Sequence, residues 1–183
     1  MSIYKNIICT LFLFLLAGSA ISDVFGKKNP NLGKPLSDEE VKKYDFVIMP
    51  NGQGLPNGEG SVDLGRNLYD IHCMACHGKE GVKGLNGDLA GGHGTISGPL
   101  PKKTVGSYWP YSTILFDYIR RAMPYQNPGS LTNDEIYSIS AYILFINNII
   151  DSEMILNKNN LPDVKMPNSE KFIWAFPVAS EDS

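Results

Sequence analysis

Residues 73–77 read Cys-Met-Ala-Cys-His. Two thiols separated by two residues stand on one turn of backbone, where each can add to one of the two vinyl groups on a porphyrin edge. The histidine that follows can then reach the iron from one face. The pentapeptide therefore predicts one covalently attached haem c, anchored by Cys73 and Cys76, with His77 as the first axial ligand of the iron. Tetrahedral zinc would need a second Cys/His pair, and the other histidines, His72 and His93, have no ligand spacing. A thioredoxin-type Cys pair would follow a β-strand, whereas residues 64–69 approach the motif with the pattern of a helix.

The beginning of the chain agrees with this chemistry. Lys5, an apolar run over residues 7–16 and the small residues Ala17, Gly18, Ser19 and Ala20 have the order of an export signal, placed at residues 1–22. The run is too short to span a bilayer comfortably, so a periplasmic, bacterial protein with no stable membrane span after cleavage is expected. Cys9 would leave with the signal, and the mature chain would keep only Cys73 and Cys76, both already committed to haem. The remaining roughly 160 residues suit a single domain with extended arms. The expected division is an N-terminal extension over 23–60, a haem domain over 61–150 and a C-terminal extension over 151–183.

Charge excludes one class of partner. The chain carries a formal charge of −3 and no polybasic run, so nucleic acid is not expected to bind. Its basic residues are nonetheless unevenly spread: between His77 and Met123 lie Lys79, Lys83, Lys102, Lys103, Arg120 and Arg121 against only Glu80, Asp88 and Asp117. A haem edge opening within that segment would present positive charge to an acidic partner.

Helix signals surround the motif. Ser37-Asp38-Glu39-Glu40 is a capping box that opens a short helix to about Tyr44, and Ser61 can cap a second helix that runs to about His72. Residues 51–60 are turn chemistry, without the spacing of a nucleotide-binding glycine loop. Residues 78–107 are Gly-rich and aperiodic, as expected of a loop over a haem edge. Pro110 is expected in the first turn of a helix over 111–122, which ends at Met123-Pro124. Thr132-Asn133-Asp134-Glu135 is a second capping box, opening an apolar helix over 136–149. The expected fold is mainly α, helices and loops wrapped around one covalent haem.

A thioether is the usual sixth ligand where electrons are to be transferred, since it raises the potential. Met49, Met123 and Met166 each precede a proline, and that dipeptide does not choose among them. Met123 is selected by position: it falls between two helices, while Met49 precedes the motif and Met166, the runner-up, lies beyond the last helix. His93 is an alternative nitrogen ligand.

The order of capped helix, C-x-x-C-H, flexible loop, Met-Pro and final capped helix resembles the class I c-type cytochromes. Residues 104–124, 131–137, 141–144, 161–162 and 166–168 more specifically resemble the cytochrome subunit of the sulfane or sulfite dehydrogenases of Sox sulfur oxidation. The resemblance implies a class I cytochrome c fold. It also implies an electron-transfer subunit, itself not catalytic, that takes electrons from a molybdenum-containing dehydrogenase subunit and passes them to a downstream cytochrome or oxidase. It further implies that Trp109 contacts a haem propionate and that Gly65 and Tyr69 cross closely against Tyr142. One departure is visible: the family's proline after the haem motif, whose carbonyl orients the proximal imidazole, is missing from residues 85–89. Another carbonyl of that loop has to accept the His77 proton. The alternative function is a haem enzyme or sensor, such as a peroxidase or gas-binding protein, with an open sixth site.

Overall fold

The computed structural model describes residues 33–173, so the expected export signal and the tail residues Trp174 and Phe176 lie outside the described residues. The chain divides between Asp45 and Phe46 into two compact units. In the first, helix α1 (Asp38–Tyr44) is opened by the expected capping box: the Ser37 hydroxyl accepts from the Glu40 amide, and the Glu40 carboxylate accepts from the Ser37 amide.

The second unit is built on two crossing helices. Helix α2 (Val62–His72) starts at the Ser61 cap and turns Val62, Gly65, Leu68 and Tyr69 inward. The four-residue helix α3 (Met74–His77) follows it at once and carries the haem motif. Helix α4 (Ser112–Ala122) buries Leu115, Phe116 and Ile119, and helix α5 (Asn133–Ile146) is buried along most of its length. The principal packing is α2 on α5. There the Tyr69 and Tyr142 rings meet at 5.2 Å, and a Cβ on Gly65 would overlap the Ser138 carbonyl. The close approach expected of Gly65, Tyr69 and Tyr142 is thus present, and only glycine permits it.

Three helix boundaries differ from expectation. Helix α5 begins at Asn133, directly after its Thr132 cap, rather than at 136. Pro110 lies outside α4, because Tyr111 is extended (φ −133°, ψ 135°) and serves as the N-cap. Helix α5 stops at Ile146 rather than 149. Asn148 adopts a left-handed conformation (φ 54°), its amide donates to the Phe145 carbonyl, and the Ile149 amide donates to the Leu144 carbonyl, the hydrogen-bond pattern of a Schellman stop.

The only strands among the described residues are short. Strand β1 (Glu59–Ser61) pairs antiparallel with β2 (Ile155–Asn157), so the segment before α2 is held to the segment after α5. Leu156, Leu161 and Met166 are buried in the same core as Val62, Phe116 and Tyr137. Among the described residues no helix is long and apolar enough to cross a membrane.

Candidate haem site

Helix α2 delivers the motif, and the chain after it fixes the motif's far end. The Tyr69 hydroxyl, on the buried face of α2, donates to the Gly78 carbonyl at 2.9 Å, tying the residue after His77 back to the helix before Cys73. Within the motif the Cys76 and His77 amides donate to the Cys73 carbonyl. Burial, with Cys76 beside it, pushes the Cys73 thiol up to about 12, so the free thiol is protonated and poorly nucleophilic in the folded chain.

Cys73, Cys76 and His77 open onto a cavity of about 390 Å³. Its apolar wall comes from three parts of the chain: Leu89 and Val105 from the long loop, Leu115 and Ile119 from α4, and Ile139 and Ile143 from α5. Met123, the C-cap of α4, lines the same cavity, as do Trp109, Tyr118 and the exposed Tyr125. The Trp109 ring packs edge-on against Tyr118 at 5.7 Å. A haem fits this donor set: two thiols and an imidazole on one short segment, a thioether on another, and an apolar lining between them.

All five residues expected at the site, Cys73, Cys76, His77, Met123 and Trp109, line this one cavity. The competing ligands do not. Met166 is buried in the core at 3% exposure, Met49 is exposed, and His93 is an exposed residue beside a different cavity with Ile96, Tyr108 and Phe172.

The carbonyl that takes the place of the missing proline's is that of Gly87, which lies 3.0 Å from His77 Nδ1 and accepts its proton. The loop carrying it is tied down by contacts that sequence patterns did not signal. The Asn86 amide donates to the Cys76 carbonyl, and Asn147, 1% exposed, donates to the Leu89 and Ile143 carbonyls while accepting from the Gly91 amide. Thr104 Oγ1 donates to the Gly91 carbonyl at 2.6 Å. Asp88 is an exception that charge could have flagged, since Lys102 lies 2.6 Å away, and the Lys102 ammonium and the Lys83 amide together hold its carboxyl below the usual range.

The basic segment is less uniform than its sequence. Lys102 is paired with Asp88, Lys103 sits over the Tyr108 ring, and Arg120 and Arg121 both stack on Phe46. Of the six basic side chains, Lys103 alone lines the haem cavity.

Residues 60–143 match the family model described as cytochrome c oxidase, cbb3-type, subunit III. The chain is also similar to the crystal structure of the sulfane dehydrogenase SoxCD from Paracoccus pantotrophus, at 36% identity and a TM-score of 0.73, over 79% of this chain and 72% of that one. No curated protein matches the chain. A mainly helical fold, a haem-attachment motif opening onto a fitting cavity, and these two likenesses lead to one conclusion: the chain belongs to the Sox-like c-type cytochromes, electron-transfer proteins with covalently bound haem c.

Proposed function

We propose that this chain is an exported, periplasmic electron carrier in which Cys73 and Cys76 would bind the haem edge, His77 and Met123 would ligate the iron, and Trp109 would contact a propionate. The observation that carries the reading is the convergence of Met123 on the cavity of Cys73, Cys76 and His77, which leaves no need for an open sixth position. When bound, the haem supplies a single iron that alternates between ferric and ferrous states. The chain's own residues do the rest. Leu89, Val105, Ile139 and Ile143 exclude water, the Gly87 carbonyl holds the His77 proton and raises the basicity of the ring, and the thioether of Met123 favours the reduced state.

The likeness to a sulfane dehydrogenase supports a molybdenum-containing dehydrogenase subunit as electron donor and a downstream cytochrome or oxidase as acceptor. On this reading residues 61–150 carry the haem, and 23–60 and 151–183 are extensions left after loss of residues 1–22. Lys103 at the cavity rim is the charge best placed to steer an acidic partner.

The test mixes oxidised protein with the molybdenum subunit and its sulfur substrate and follows appearance of the ferrous spectrum. Rapid reduction is expected, slowing as salt rises. Carbon monoxide added to the reduced wild type should bind far more slowly than to Met123→Ala. Equal binding to both would mean an open sixth site and a haem enzyme or sensor instead.

A further inference from the structure

We propose that Asp88 and Lys102 form a clamp that positions the proximal histidine, acting through the Gly87 carbonyl. The inference rests on His77 as an iron ligand and goes beyond it by assigning what fixes the imidazole.

Gly87 lines the haem cavity, and no other part of the chain lies within 4 Å of where its Cβ would be, so side-chain packing from the protein does not hold this residue. Its carbonyl nevertheless stands 3.0 Å from His77 Nδ1, where water would compete for the same proton. The restraint has to come from its neighbours. On one side the Asn86 amide donates to the Cys76 carbonyl at 2.8 Å. On the other, the Asp88 carboxylate accepts from the Lys83 amide at 2.8 Å through Oδ1 and from the Lys102 ammonium at 2.6 Å through Oδ2.

Those two bonds do different things. The first closes the turn from Lys83 to Asp88 and holds Lys83 in a left-handed conformation (φ 60°) that a lysine rarely adopts. The second joins this turn to the separate stretch 102–107. There the Lys102 carbonyl accepts from the Ser107 hydroxyl, and Ser107 and Thr104 are buried. The exposed strap beneath the imidazole is thereby pinned to the packed wall of the haem cavity. Because a histidine that donates to a fixed carbonyl is a more basic ligand, loosening the clamp should also weaken stabilisation of the ferric state.

The decisive measurement is exchange of the His77 Nδ1 proton with solvent, followed by NMR in ¹⁵N-histidine-labelled, reduced holoprotein. Asp88→Asn and Lys102→Gln should each accelerate it about two- to fivefold, the loss expected when a solvent-screened ion pair is removed, and Asp88→Glu should restore part of the protection. Reduction potential provides the control. Charge alone moves it in opposite directions in Asp88→Asn and Lys102→Gln, so opposite shifts with unchanged exchange would overturn the clamp. Lys102 is a surface side chain, and if Asp88→Asn fails to accumulate as holoprotein the Lys102→Gln exchange rate decides. A wild-type Nδ1 proton resonance lacking the large ring-current shift of a haem-bound imidazole would instead remove His77 as a ligand.

Discussion

The Ser138 carbonyl of α5 occupies the space that a Cβ on residue 65 of α2 would need. In an open helix, replacing glycine by alanine gains about 1 kcal/mol. At Gly65 the sign should reverse, since the added methyl has to push backbone rather than a flexible side chain, and Gly65→Ala should cost about 1–3 kcal/mol. Chemical denaturation of the holoprotein, compared with an alanine at an exposed α2 position, measures this.

Attachment of the haem depends on the two thiols. Cys76→Ala is expected to abolish stable attachment and Cys73→Ala to weaken it, read by haem staining after denaturing electrophoresis. Complete extraction of haem from the wild type by acidified organic solvent would contradict covalent linkage.

Methionine substitutions should separate ligation from packing. Met123→Ala should lose the weak red sulfur-to-iron charge-transfer band and admit external ligands. Met166→Ala should keep the band and cost about 2–5 kcal/mol, because that side chain is buried in the core. Met49, exposed, should tolerate alanine with neither effect.

Asn147 supports the loop from within. Its amide reaches two carbonyls and its oxygen one amide, all from a position 1% exposed. Asn147→Ala would leave the half-buried Gly91 amide and Leu89 carbonyl without this partner, at about 1 kcal/mol for each group. Hydrogen exchange should show the loss first in residues 89–91.

Acid should act on the start of α5. The Thr132 amide, then its hydroxyl, holds the Glu135 carboxyl below its ordinary value, with His72 adding a smaller effect. A carboxyl depressed on folding stabilises fully above its unfolded value, about 4.3, and that contribution disappears as pH falls through the lower folded value. The thermal midpoint of the wild type should therefore fall more steeply below about pH 4 than that of Glu135→Gln. Equal slopes would show that the capping carboxylate does not contribute.

Local chemistry explains which parts of this molecule were legible beforehand. Ser61, Ser37 and Thr132 announced helix starts because a cap acts through residues three positions away, and Cys73, Cys76 and His77 announced haem for the same reason of proximity. Gly87 carried no such mark. A backbone carbonyl is common to every residue, and its selection as the partner of His77 is made by where Asn86 and Asp88 are tied. Asn147 was equally silent, since one of two adjacent asparagines near the end of an apolar helix looks like a surface position until the distant Leu89 carbonyl and Gly91 amide, with the nearby Ile143 carbonyl, converge on it. The β1–β2 pair was missed because strands of three residues are too short to show alternation.

That small ribbon makes the haem domain a hoop rather than a bead with two loose ends. Glu59 faces Asn157 and Ser61 faces Ile155, so the chain closes on itself around the helices, and Leu156 and Leu161 fill the core from beyond the seam. A fragment trimmed to end at Ile150, as the motif order would invite, breaks the hoop and strips those side chains away. Its poor folding would be a fault of the cut, and a minimal expression unit for this cytochrome should run from Phe46 through at least Met166.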